Sequence, residues 1–311
     1  MIKDALTFTA SDGMKLALHR WLPDDRPVGL IQIAHGMMEF AQRYDSFAER
    51  AVGLGYAVIA NDARGHGMTA GTLESLGRLG EGDTFSRCVE DLYEITQYAR
   101  DAWPAIPVIL FGHSWGSFLA QMYIERHGAA LSACILSGTR GPDPLEVFGG
   151  RTLAGLLGAL GRGNTRSRLL FNLSFRPCNA RVPNPQSPNA WLSSDGEAVA
   201  LYDASPWCGF LPTVRFWDFL MTGLSAIHKR AAFEAIPKNL PVLLFAGSDD
   251  PIGKYGKTID KLVMAYRDAG MTDVERKTYG GARHETLNDS CRDRVMSDLF
   301  AWIALRLSPR G

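Results

Sequence analysis

Val108-Ile109-Leu110-Phe111-Gly112-His113-Ser114-Trp115-Gly116-Ser117-Phe118-Leu119-Ala120 is the stretch from which the architecture can be read. A short apolar run, the length of a buried strand, ends at Phe111, and an apolar helical pattern runs from Gly116 to His127. Between them lies G-x-S-x-G, the signature of a serine carried on a sharp strand-to-helix turn. The requirement is steric: glycines two residues either side let the backbones pass closely while the Ser114 hydroxyl points outward. The following helix N-terminus favours negative charge developing nearby.

Outward from this turn the chain keeps one rhythm. Thr7 to Trp21 reads as a hairpin around Ser11-Asp12-Gly13. Val28–Ala34 and Tyr56–Ala60 are short apolar strands separated by a helical pattern over about 41–54. A longer helix is predicted from Thr84 to Ala102, stopping before Pro104, and Ala133–Ser137 is a further strand. Regular alternation stops at Arg140 and resumes near Pro237, with strands at Val242–Ala246 and Val274–Tyr279 and helices at Thr258–Ala269 and Cys291–Leu307. Short strands alternating with helices imply an α/β fold with a mostly parallel sheet, whose site lies beyond the strand C-termini. The interruption, with Pro183-Asn184-Pro185-Gln186-Ser187-Pro188 inside it, reads as an inserted cap. The expected division is therefore a core in two parts, 1–139 and 237–311, with the cap at 140–236.

A serine hydroxyl is a poor nucleophile near neutral pH, so Ser114 needs a histidine to take its proton and a carboxylate to orient that histidine. Elbows of this kind are followed in chain order by the acid and then the histidine. Asp249 and Asp250 both follow the strand Val242–Ala246, and Pro251 stiffens the turn after Asp250, which favours it. His284 follows the strand Val274–Tyr279. Of the seven histidines, His19, His127 and His228 are not placed to serve, and His113 is expected to point elsewhere. An oxyanion needs two backbone N–H donors: that of Trp115, after the nucleophile, and that of Met37 in the loop His35-Gly36-Met37. Arg64-Gly65-His66-Gly67 reads as a structural turn.

The 311 residues carry 33 basic and 33 acidic side chains, and 46% are hydrophobic. That balance excludes a disordered chain and gives no field to gather nucleic acid. Five scattered cysteines without a C-x-x-C pair argue against a zinc site or disulfide framework, and point to a reducing, cytoplasmic compartment. Met1-Ile2-Lys3-Asp4 does not open an apolar secretory leader, and no apolar run approaches the roughly 20 residues of a membrane span. No metal or nucleotide cofactor is implied. Seven arginines against Asp143 and Glu146 over 140–181 make a positive patch on the cap. It reads as a solvated face or as a surface for transient contact with anionic lipid.

The segments His35-Gly36-Met37-Met38-Glu39, the stretch Arg43-Tyr44 to Gly65-His66-Gly67, the elbow at Ser114, Gly247-Ser248-Asp249-Asp250-Pro251 and Ala282-Arg283-His284-Glu285 together resemble the α/β-hydrolase fold. Within it they resemble the monoacylglycerol lipase and lysophospholipase-like serine hydrolases, over nearly the whole chain. The resemblance implies a central sheet flanked by helices with an inserted helical cap. It also implies Ser114, Asp250 and His284 as the catalytic residues, Asp250 standing three residues after the glycine of its motif. Phe40 stands where the family usually has a histidine, and Trp115 is bulky for its place. A hydrophobic entrance in the cap would draw on Trp191, Trp207, Phe210, Phe216, Trp217 and Phe219. The implied activity is cofactor-independent ester hydrolysis through an acyl-enzyme, on a small ester or lipid such as a monoacylglycerol or lysophospholipid. A serine peptidase or amidase, or a ligand-binding protein that turns nothing over, is the alternative.

Overall fold

Successive side chains of a strand face opposite ways, so a strand buried on both faces feeds two cores. The computed structural model, which describes residues 1–307, has that division. Val108 and Leu110 enter one apolar cluster, Ile109 and Phe111 the other; Leu244 and Phe245 divide the same way. Residues 308–311, the end of the second core segment, lie outside the described residues.

The sheet comprises β1 (Ile2–Thr9), β2 (Lys15–Leu22), β3 (Gly29–Ala34), β4 (Tyr56–Asn61), β5 (Val108–His113), β6 (Ala133–Ser137), β7 (Val242–Gly247) and β8 (Val274–Tyr279). Their spatial order is β1-β2-β4-β3-β5-β6-β7-β8. The first two strands pair antiparallel, β2 pairs antiparallel with β4, and the rest are parallel. β1 starts five residues before the predicted hairpin strand; as an exposed edge it lacks the alternation that marks a half-buried strand.

From β3 the chain passes to β4 on one side, while β5 lies on the other. Ligands bind at such a reversal because the two loops diverge and leave a crevice. Ala34 pairs with Gly112, so the loop after β3 and the turn after β5 emerge side by side. One face is covered by α1 (Asp45–Gly53) and α11 (Arg292–Leu307), the other by α3 (Thr84–Ala102), α4 (Trp115–His127) and α10 (Lys257–Asp268); a single turn, α2, spans Gly67–Ala70. Gln32 faces α3 yet is fully buried, tolerated because its amide donates to Leu92 O at 2.8 Å and accepts from Thr96 at 2.6 Å.

Between β6 and β7 come α5 (Pro144–Leu157), α6 (Arg168–Phe175), α7 (Gly196–Ala204), α8 (Val214–Ile227) and α9 (Arg230–Ala235). Proline opens α5, and side chains of Ser167, Asp195 and Thr213 accept from the first amides of α6, α7 and α8. The proline-rich stretch forms no helix or strand. α8 packs along α5 and rests on α3 and α4, which carries this helical layer across the mouth of the crevice.

Candidate active site

The turn at Ser114 is strained as its motif requires: φ is 50° and ψ −120°, a conformation rare for a side chain-bearing residue. It is held by the Ser114 N–H donating to Ser137 O at 2.9 Å and by Ser117 N–H donating to Ser114 O at 2.9 Å. The flanking glycines act through close approach. A Cβ on Gly116 would fall 2.0 Å from Ala34 O, and one on Gly112 2.6 Å from Gly116 O.

Of the two candidate acids the structure brings only Asp250 to His284. Its carboxylate is fully buried, both oxygens lie 3.0 Å from His284 Nδ1, and Oδ1 also accepts from Ile252 N–H at 2.9 Å. Asp249 is exposed beside Ser248. His284 is 2% exposed. Burial alone would depress its pKa; the Asp250 carboxylate, with Glu285 and Glu39 adding, overcomes that and the net shift is upward from 6.5.

Ser114, His284, Met37 and Trp115 line one cavity of about 500 Å³. Among the described residues the N–H groups of Met37 and Trp115 have no acceptor. Buried backbone donors are rarely left so, and the pair is available to a ligand oxygen. The Trp115 ring is buried and stacked on His66 at 5.0 Å. His66 belongs to a structural turn: burial pushes its pKa down to about 3, and the preceding Arg64 is paired with buried Asp91 at 2.6 Å.

Three features differ from the sequence expectation. His113 does not point away; its ring lies 4.8 Å from that of His284 and lines the cavity, with burial and His284 holding its pKa down to about 4. Of the six cap aromatics only Trp191 and Trp217 line the cavity, and much of the rest of the wall is aliphatic, from Leu153, Leu170, Leu173, Leu220 and Leu224. Phe210 and Phe216 instead pack on His66.

The third is a buried charge network with no role assigned from sequence. Glu39 accepts from Gly36 N–H and from Tyr44 at 2.9 Å, and takes Arg43 Nη1 at 2.6 Å. Arg43 then grips Glu285 with two bonds of 2.7 and 2.6 Å. Burial would raise the Glu285 carboxyl, but Arg43 overcomes it and carries it down to about 2. The network thus ties the loop of Met37 to the loop of His284. The i,i+4 spacing of Glu39 and Arg43 was its one local signal.

Among the described residues no group of three His, Cys, Asp or Glu side chains is placed to hold a metal, and no helix is long and apolar enough to cross a membrane. The five cysteines are unpaired.

A family model described as serine aminopeptidase S33 matches residues 25–291. The monoacylglycerol lipase of Mycolicibacterium smegmatis is 29% identical over 97% of this chain and 97% of its own. The human monoglyceride lipase is 27% identical over 97% of this chain and 90% of its own. Among solved structures, a thermostable carboxyl esterase from Bacillus coagulans in complex with glycerol superposes with a TM-score of 0.91 at 29% identity, covering 99% of both chains. A soluble variant of the Saccharomyces cerevisiae monoglyceride lipase, in complex with a substrate analog, shares the fold at a TM-score of 0.76 and 21% identity, over 98% of this chain and 95% of its own.

Proposed function

The chain belongs to the serine aminopeptidase S33 family, and from that premise we propose that it is a serine ester hydrolase acting on monoacylglycerols and similar medium-sized esters. In this reading 140–236 is the cap over the site. Ser114 attacks the ester carbonyl while His284, held at Nδ1 by Asp250, takes the hydroxyl proton on Nε2. The oxyanion forms against the N–H groups of Met37 and Trp115. His284 returns the proton to the departing alcohol, and water, activated by the same imidazole, releases the acid from the acyl-enzyme.

The observation that carries the reading is the buried Asp250–His284 pair, opening on the same apolar-walled cavity as the strained Ser114 and two unengaged amides. Ester rather than aminopeptide substrate is supported by charge. A free terminal amine needs an unengaged carboxylate, yet Glu39 and Glu285 are paired with Arg43, and Glu146 with Arg140 and Lys254. Those three are the carboxylates lining the cavity among the described residues.

Contact with a lipid surface is supported by an apolar stripe more than by arginines. Leu145, Phe148, Leu156 and Leu160 recur on one side of α5 and the turn after it, and Leu145 is 85% and Phe148 72% exposed. Several cap arginines are engaged instead: Arg166 donates to the carbonyls of Glu74 and Leu76, and Arg181 stacks on Tyr255.

The test compares wild type with Ser114→Ala on p-nitrophenyl esters, monoacylglycerols, a lysophospholipid and an aminoacyl anilide. The expected result is hydrolysis of the esters, lost by about 10⁴-fold or more in Ser114→Ala. Cleavage of the anilide alone would replace the esterase reading with a peptidase. No turnover, with a fluorophosphonate failing to label Ser114, would leave a binding protein.

A further inference from the structure

His284 is seated partly by the cap. After the proline-rich stretch, residues 190–194 run against the loop that carries it. Glu285 N–H donates to Leu192 O at 2.7 Å, His284 N–H to Trp191 O at 3.4 Å, and Ser193 Oγ to Asn288 O at 2.9 Å. Arg283 closes the junction: Nη1 donates to Ala190 O at 2.8 Å and to Ser193 O at 2.7 Å, while its own N–H is held by Asp289 at 2.9 Å. Residues 190–192 form a single 3₁₀ turn, too short to persist alone, so the carbonyls at its two ends need such a donor. The clamped turn presents Trp191, 4% exposed, with its ring 5.0 Å from the His284 ring.

Asp250 restrains the imidazole only at Nδ1. A ring held at one edge can still rock about that edge, carrying Nε2 away from Ser114, unless its faces are packed. Trp191 and His113, with rings 5.0 and 4.8 Å from that of His284, supply that packing; Phe175 stacks on Trp191, and Arg283 holds the turn that carries it. We infer that Arg283 is a positioning residue for His284, working through the cap turn 190–193, so that the cap helps set the base as well as covering the cavity. The inference rests on the proposed roles of Ser114, Asp250 and His284.

The test uses p-nitrophenyl acetate, too small to need the acyl cavity, with the full chain as wild type, Arg283→Met, Arg283→Lys and Ser114→Ala. Arg283→Met should lower kcat by about 10²-fold, the size expected of a displaced reacting group, with KM nearly unchanged. Its acidic limb of kcat/KM should move to lower pH, because a loosened imidazole loses the support of Asp250. The other charged or titratable groups that face it, Glu285, Glu39 and His113, are unaltered. Loss of the Arg283 charge by itself would move the limb the other way, so the direction isolates positioning. Arg283→Lys, keeping a cationic donor nitrogen, should recover part of kcat. A clamp that is only structural would lower the melting temperature and leave kcat and the limb at wild-type values, which would overturn the inference. Should Arg283→Met fail to fold, the same two readouts on Arg283→Lys decide. Wild-type turnover by Ser114→Ala would instead sink the underlying assignment.

Discussion

Arg43→Met probes the charge network that joins the two loops of the site. In the native protein Arg43 overcomes burial and holds the Glu285 carboxyl down from its ordinary 4.5 to about 2, so its ionised form contributes to folding. The sign follows from the depressed folded pKa: the contribution is fully present above pH 4.5 and is lost as pH falls through 2. Methionine fills much of the space against Tyr202 but leaves Glu39 and Glu285 buried without a cation. Breaking a buried pair on one side costs about 3–5 kcal/mol, and for a chain of this length the melting temperature should fall by about 5–8 °C at pH 7. With the cation gone, burial raises the folded pKa of Glu285 above 4.5, so the variant takes up protons on acidification. Its deficit relative to wild type should therefore shrink from pH 7 to pH 5. Adding Glu39→Gln and Glu285→Gln should restore part of the stability, since uncharged partners carry no burial penalty of that size. Thermal unfolding followed by circular dichroism at both pH values is the assay. A loss under about 1 kcal/mol, an equal loss at both pH values, or a triple variant no better than the single one would refute the reasoning.

Asp250→Asn should lower kcat by about 10³–10⁴-fold, because an amide at that position stabilises the wrong imidazole tautomer; Asp249→Asn, at an exposed side chain, should stay within about twofold of wild type. In the pH profile of kcat/KM, activity should rise through a single limb lying above 6.5, where His284 loses its proton, since Asp250 raises that pKa; His113, at about 4, adds no limb near neutrality. A limb below 6.5 would contradict the geometry. Phe148→Asp with Leu145→Asp should weaken binding to anionic phospholipid vesicles in a sedimentation assay while leaving turnover of p-nitrophenyl acetate unchanged, and equal binding would remove the lipid-surface reading.

Ser114, Asp250 and His284 were legible from sequence because each is anchored at the end of a strand whose signal is local. The elbow needs two glycines at fixed offsets, and the Asp250 loop follows an apolar run of strand length; the strand before His284, Val274–Tyr279, is polar along its middle and is marked by Val274, Thr278 and Tyr279. Asp249 and Asp250 share that anchor; Pro251 and the family resemblance favour Asp250, and its carboxylate is the one that meets the His284 ring. The aliphatic cavity wall escaped notice because leucines of α5, α6 and α8 look the same in sequence whether they face a core or a void. His113 is the last residue of β5, where the strand gives way to the turn at Ser114 and alternation no longer fixes the direction of a side chain.

What sequence patterns could not carry are contacts between distant segments made by side chains whose local setting is ordinary. Arg43 and Glu285 stand 242 residues apart, and Arg283 reaches the cap 93 residues upstream. Neither distance leaves a periodicity. Both contacts end on the loop of His284, and that concentration has a physical reason. The loop of His284 follows β8, the last strand, and has no sheet hydrogen bonds of its own, so its position must be imposed from outside. Here Asp250 fixes the imidazole edge, Arg43 fixes the loop through Glu285, and the cap, through Arg283, packs the ring. Three restraints on one imidazole serve the pre-organisation of a proton transfer, in which an error of about 1 Å costs about 10²-fold in rate.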